Sequence, residues 1–353
     1  MQLDAVILSP PPERAGKLTR EAEAMGLGGA WFPEAEHNPY IGAALGAAET
    51  NSIGLGTAIA LAFPRSPMIT AQIAWDLSRL SGGRFMLGLG PQVKVQMEQR
   101  FSVPFSRPVP RLREYCMALR AIFDAFQGNS ELDFHGEFYD FTLLTDEFSG
   151  GPIDHPDIPI MMSGLSDNLA RAAAQVADGF LAHAVHSRAY LHEIIRPAID
   201  EELNSGNAAT KQKFTVGVPV FCVPTGYDDA KELARVETVR RRLAFYLALY
   251  GDGKSKNYNR ILELHDLPGL ALKLFELQAA GGSGEEMGAL ISDDVLDIFA
   301  VVRPWEEVAD ELIYRYNGAV DRVILYGAPL PSWSKDPVLR ERVATIAGQL
   351  QDA

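Results

Sequence analysis

Apolar runs of strand length recur along the chain at 3–8, 28–33, 52–62, 84–90, 158–163, 179–185, 214–223 and 321–326. Within each run the apolar positions are nearly continuous, as in strands buried on both faces. Between the runs the period changes to that of a helix. Leu18, Ala22 and Met25 follow the first two-unit spacing, then Ile69, Ile73, Leu77 and Leu80, then Leu112, Tyr115, Leu119, Ile122 and Phe126. Leu169, Ala173 and Val176 mark a further helix, as do Leu233, Val236, Val239 and Leu243, and Val338, Val343, Ile346 and Leu350 close the chain. Strict strand-then-helix order predicts a parallel sheet. Eight such units predict an α/β fold closed into a (β/α)8 TIM barrel, in place of an open doubly wound sheet.

Two stretches interrupt the alternation. Residues 128–157 and 251–304 are expected to be insertions within one barrel domain spanning 1–353, the second helical around 259–280 and 293–302 with GGSG (281–284) between. Apolar helices in 259–302 suggest either a helical cap over the pocket or a homodimer contact. Ser66 before Pro67, and Ser166 with Asp167, supply helix-start signals. No solenoid repeat or low-complexity tract is present.

Composition narrows the picture. With 47% hydrophobic and 22% charged residues the chain carries ample core. A formal charge of −14 argues against nucleic-acid or anionic-membrane partners, because phosphate neutralisation needs clustered cations. A small-molecule substrate fits better. Cys116 and Cys222 read as buried apolar residues of a reducing compartment. The start, MQLDAVILSPPPE, reads as a strand and a turn, not as a signal peptide, and the longest apolar stretch, 53–64, is too short to span a membrane, so a cytoplasmic location is expected.

In a closed parallel barrel the loops after the strands line the reaction site. After the second strand, PEAEHNPY places Glu34, Glu36 and His37 there, a histidine able to exchange protons near neutral pH beside carboxylates able to orient it. After the third, GTAIALAFPRSP ends in small residues that would let a planar ring approach the backbone. GRFMLGLGPQ holds Gly88 and Gly90, but lacks the third glycine and later acid of a dinucleotide fingerprint. After the fifth, Gly164 and Ser166 precede a helix whose free N–H groups favour a phosphate. His183 and His186 follow the sixth; with no third ligand nearby, no metal site is expected. His135 and His155 fall in the first insertion, whose aromatic hairpin could wall a pocket, and His192 and His265 sit on helical patterns without partners.

The run LGTAIALAFPRSPMITAQIAWDLSRLSGGRFMLGLG (55–90), the segment GLSDNLARAAAQVADGFLAH (164–183) and VDRVILYG (320–327) together resemble the luciferase-like monooxygenase superfamily, in particular its coenzyme F420-dependent oxidoreductases. The resemblance implies a bacterial-luciferase-like barrel with a non-prolyl cis peptide at Ala58–Ile59 supporting the cofactor ring. It assigns cofactor contacts to Ala58, Ile59, Gly90, Gly164, Leu165, Ser166 and His183, and the position beside the reactive ring carbon to His37. Sugar-phosphate-oxidising relatives carry an acid shortly after the fourth strand; here the chain reads GPQVKV, which leaves that role to Glu36 or to the substrate. Arg303 stands where relatives often have glycine. The expected activity is hydride transfer between F420 and a small organic substrate. The alternatives are an FMN-dependent monooxygenase on the same fold and a non-catalytic, flavin-binding or structural barrel.

Overall fold

The computed structural model describes residues 1–8, 10–205, 213–249 and 256–353. The eight runs form eight strands: β1 Gln2–Val6, β2 Gly29–Phe32, β3 Gly54–Thr57, β4 Phe85–Gly90, β5 Ile160–Gly164, β6 Gly179–Ala182, β7 Thr215–Thr225 and β8 Arg322–Tyr326. Each pairs in parallel with the next, and β8 pairs with β1, so the sheet closes on itself. This is the eight-stranded barrel the apolar runs predict, with helices outside. Ser66 and Ser166 cap the helices Pro67–Ser81 and Asp167–Val176 through their own hydroxyls.

The barrel interior is packed from the amino-terminal side. Val6, Trp31, Met161, Leu181 and Ile324 form an inner cluster distinct from the larger core between strands and helices. A Cβ on Gly56 would lie 2.4 Å from the Trp31 ring, so β3 needs glycine there for the indole to fit. Below, Trp31 Nε1 donates to Asp4 Oδ2 (2.8 Å) and Arg322 Nε donates to the same oxygen (2.7 Å). Asp4 is fully buried. A carboxylate so placed is tolerable only because its charge and lone pairs are taken up.

Two details depart from the sequence reading. The apolar repeat of Pro67–Ser81 points a different face inward: Ala71, Ala74, Trp75 and Leu77 are buried, while Ile69 and Leu80 are about half exposed. The second insertion contains the helices Lys256–Glu263, Pro268–Ala279, Gly284–Ala289 and Asp293–Phe299, but its end, Ala300–Pro304, is a strand and not helix. It pairs with the overhanging end of β7, Phe221–Thr225, where the β-branched pair Val301 and Val302 suits an extended partner. Within that insertion Ile261, Leu262, Leu274 and Met287 are buried and the helices Pro268–Ala279 and Gly284–Ala289 pack on the helix Asp229–Ala248, while Leu272 and Leu290 stay exposed. Residues 251–255 of the insertion lie outside the described residues. The first insertion contains the expected hairpin, Phe134–His135 with Asp140–Phe141. Among the described residues no helix is long and apolar enough to cross a membrane.

Candidate active site

The link from β2 to the next helix is short. Phe32 ends the strand, Asn38 caps the helix Pro39–Glu49 by accepting from the Tyr40 amide (3.0 Å), and Pro39 occupies its first turn. His37 is therefore held at the carboxyl-terminal rim of the barrel. It is half-buried, over a small recess lined by Ile7, Phe32 and Pro33, and its ring has no hydrogen-bond partner among the described residues. Glu36 is exposed and equally unpartnered, so no carboxylate orients His37. Glu34 is committed elsewhere: its carboxylate accepts from Arg65 Nη1 and Nη2 (2.8 and 2.6 Å) and from the Leu61 amide (2.7 Å).

Those bonds fix the end of β3. The Ala58–Ile59 peptide bond is cis. The Ala58 amide donates to Phe32 O (2.9 Å), the Glu34 amide to Ile59 O (3.0 Å) and the Ala62 amide to Gly90 O (3.1 Å), while Ala60–Leu61 rejoins the sheet beside β4. Thr57 Oγ1 donates to Gly88 O (2.7 Å) and accepts from the Gly88 amide (2.9 Å). A Cβ on Gly88 would fall 1.8 Å from Thr57 O, and one on Gly90 would fall 2.1 Å from Ile59 Cδ1. Both glycines thus serve the close approach of β3 and β4. Gly90 is buried and faces Ile59, so its support of a bound ring would run through that side chain. Ala58 and Ile59 are half-buried and form a ledge.

Behind the ledge lies a polar cluster that pattern reading missed. The Arg65 guanidinium sits over the Tyr40 ring (5.3 Å), and Thr70 Oγ1 and Tyr115 OH share a 2.6 Å hydrogen bond. Burial works against the Arg65 charge, yet the Glu34 carboxylate outweighs it and holds the guanidinium above its usual range. Burial raises the Tyr40 and Tyr115 hydroxyls, which stay protonated.

At the ends of β5 and β6 the polar groups are mostly spoken for. Ser166 Oγ accepts from the Leu169 amide (3.2 Å) and Leu165 O accepts from Tyr190 OH (2.8 Å). Gly164 faces Leu169, whose Cδ2 would meet a Cβ at 2.1 Å. Asp167, in the first turn of that helix, is paired with Arg260 (2.7 Å), which offsets its repulsion of an anion at the helix start. Burial pushes His183 down to about 4. Its Nδ1 accepts from the Val185 amide (3.1 Å), so the neutral ring carries its proton on Nε2. His186 is also pushed down to about 4 by burial; its Nδ1 donates to His183 O (2.9 Å) and its Nε2 accepts from Tyr316 OH (3.0 Å). Both its nitrogens are used, so His183 and His186 do not make a metal pair.

The remaining histidines lie apart. His265 shares a 2.7 Å bond with Ser187 Oγ, His192 bonds Arg315 O, and His135 is exposed between Asp133 and Asp140. His155 abuts Gly83, ahead of β4. In the first insertion Tyr139 packs edge-on against Tyr115, and Arg111 lies over both Phe63 and Tyr139, which ties the hairpin to the turn after the ledge.

Aromatic groups complete the rim between β6 and β8. The His183 ring meets Tyr246 edge-on (5.3 Å), Tyr246 OH is 3.3 Å from Tyr326 OH, and Phe221 packs on Tyr326 (5.2 Å). A larger cavity of about 740 Å³ opens at the opposite, amino-terminal end, beside Lys213, Asp321 and Arg322. Its Lys213–Asp321 and Arg322–Asp4 charges are mutually paired, and it lies away from the loops that carry chemistry in this fold.

The sequence model of the luciferase-like monooxygenase family matches residues 2–322. An uncharacterized protein of Mycobacterium tuberculosis is 38% identical over 311 residues, covering 88% of this chain and 89% of its own. Among solved structures, the coenzyme F420-dependent tetrahydromethanopterin reductase of Methanopyrus kandleri superposes with a TM-score of 0.79 at 20% identity, covering 97% of each chain. The FMN-bound oxygenating constituent of 3,6-diketocamphane monooxygenase from Pseudomonas putida superposes with a TM-score of 0.62 at 15% identity, covering 99% of this chain and 98% of its own. The fold is therefore one that serves oxidoreductases with either cofactor.

Proposed function

We propose, from the premise that this chain belongs to the luciferase-like monooxygenase family, that it is an F420-dependent oxidoreductase acting on a small organic substrate. The observation that carries this reading is an uncommitted, half-buried histidine, His37, three residues after Glu34, whose amide holds the half-buried Ala58–Ile59 ledge. A tricyclic ring with a phosphate-bearing tail asks for an apolar ledge and, further along, for donors. Ala58 and Ile59 meet the first demand. The backbone of Gly164, Leu165 and Ser166 at a helix start, with the neutral His183, meets the second.

When bound, the deazaflavin supplies the hydride acceptor or donor. The chain supplies position and protons. His37 exchanges a proton with the substrate oxygen or nitrogen. Glu36, exposed beside it, passes protons between the rim and water. The choice of F420 over FMN is drawn from the Methanopyrus reductase, the closer of the two superpositions.

An anaerobic screen of small alcohols, carbonyls and imines tests this reading, following F420 absorbance. Substrate-dependent change without oxygen, lost by about 100-fold or more in His37→Ala, is the expected result. Turnover seen only with FMN and oxygen would replace the reading by an FMN monooxygenase.

A further inference from the structure

About half of the arginines in this chain pair with acids, in a sequence where acidic residues exceed basic ones by 14. On the helix Asp229–Ala248, Arg240 is bound by Glu237 and Asp293. On the same helix Arg241 turns to Thr238 Oγ1 (3.2 Å), and Arg235 and Arg242 are left without such a partner. Neither has a carboxylate within ion-pair distance among the described residues, and Arg235 Nε is buried without a hydrogen-bond partner. The two are seven apart, so they share one helix face, with Thr238 between them. That face looks onto the ends of β7 and β8, where Arg235, Thr238 and Arg242 line a cavity of about 80 Å³ with Phe221, Tyr326 and Gly327.

The cavity has room for several water-sized groups. The Arg242 guanidinium lies 5.2 Å over the Tyr326 ring, another residue lining the cavity. The acids nearest along the helix are engaged elsewhere: Glu232 accepts from the amides of Gly226, Tyr227 and Asp228, Glu237 pairs with Arg240, and Asp228 pairs with Lys231. Tyr326 also connects the cavity, through Tyr246, to His183. The cavity therefore opens on the same end of the barrel as His37 and the ledge.

We propose that Arg235 and Arg242 form an oxyanion-binding subsite, taking a phosphate or carboxylate group. Two guanidinium forks facing one small cavity match such a group, and leaving a buried N–H unpaired is costly unless a ligand supplies the acceptor. The oxyanion has two possible sources: the anionic tail of the cofactor, or an anionic group of the substrate. The subsite stands on its own geometry, whereas its place in turnover rests on the oxidoreductase reading.

The test measures inorganic phosphate binding to the whole protein by calorimetry, in wild type and in Arg242→Met, Arg235→Met and Arg242→Lys, with circular dichroism to confirm folding. Wild type is expected to bind phosphate in a salt-sensitive manner, the methionine variants about tenfold or more weakly, and the lysine variant in between. Repeating the titration with F420 bound assigns the source. Displacement of phosphate by F420, but not by a deazaflavin lacking the tail, identifies the cofactor tail; simultaneous binding identifies the substrate. Either result supports the subsite. Absence of phosphate binding in wild type, or equal affinity in the folded methionine variants, overturns it. Phosphate binding without affinity for F420 or FMN would sink the oxidoreductase reading and leave the subsite standing.

Discussion

Glu34 Oε2 accepts from both the Leu61 amide (2.7 Å) and Arg65 Nη1 (2.8 Å), while Arg65 Nη1 also reaches Leu61 O (3.1 Å). The ion pair thus grips the return of the chain after Ala58–Ile59 on both sides, Glu34 taking the Leu61 N–H and Arg65 donating to the Leu61 carbonyl. Glu34 is a positioning residue for the ledge. Its side chain is only 8% exposed and that of Arg65 16%, so breaking the pair strands a buried charge. Glu34→Gln is expected to lower unfolding stability by about 3 kcal/mol. The double variant Glu34→Gln/Arg65→Met should lose clearly less than the sum of the single changes, as read from urea unfolding. Additive losses would show that the pair does not act as a unit.

The two glycines of β4 should separate fold from site. Gly88→Ala drives a methyl into the Thr57 carbonyl, a backbone atom that cannot yield, and should cost more than about 3 kcal/mol or prevent folding. Gly90→Ala meets only the end of the Ile59 side chain, which can rotate away. That variant should fold, with a smaller loss of stability, yet bind cofactor more weakly because the ledge has moved. Thermal unfolding and cofactor titration on both variants check the contrast.

The amino-terminal plug should matter to stability and not to the site. Asp4→Asn leaves Arg322 without its counter-charge beneath Trp31 and is expected to cost about 3–5 kcal/mol. Cofactor affinity of the folded fraction should stay within about twofold. A selective loss of binding at unchanged stability would contradict the separation of the two barrel ends.

Acid should weaken the fold through the histidines that burial holds neutral, of which His186 is almost fully enclosed. His186 is neutral when folded, with burial holding it at about 4 against 6.5 in its ordinary state. Between those values the unfolded chain binds the extra proton, so stability falls as pH drops from 6.5 towards 4 and the penalty is absent above 6.5. By pH 5 this amounts to about 2 kcal/mol. Urea midpoints at pH 7.5 and pH 5 should show it, and His186→Gln should flatten that part of the dependence.

The barrel was legible because its strands are buried on both faces, so their apolar runs are continuous and need no knowledge of the partner. What escaped depends on residues far apart in the chain. Asp4 and Arg322 stand 318 positions apart, and nothing local in either marks the pair. Glu34 reads as a companion of His37 because they lie close in sequence, whereas the fold gives it to Arg65, 31 residues on. The strand Ala300–Pro304 ends a helical pattern, and only the overhang of β7 draws it into the sheet. Arg235, Thr238 and Arg242 did carry a readable signal, a polar stripe at helical spacing. Without the cavity beneath them, that stripe was indistinguishable from a solvated face.

The central claim is that the rim holding His37, Ala58, Ile59 and His183 seats a deazaflavin. The most direct measurement is a fluorescence titration of the purified protein with oxidised F420 and, separately, with FMN. The account predicts saturable binding of F420 and at least about tenfold weaker binding of FMN, with the F420 affinity reduced in Gly90→Ala. Tight binding of FMN with none of F420 would contradict it.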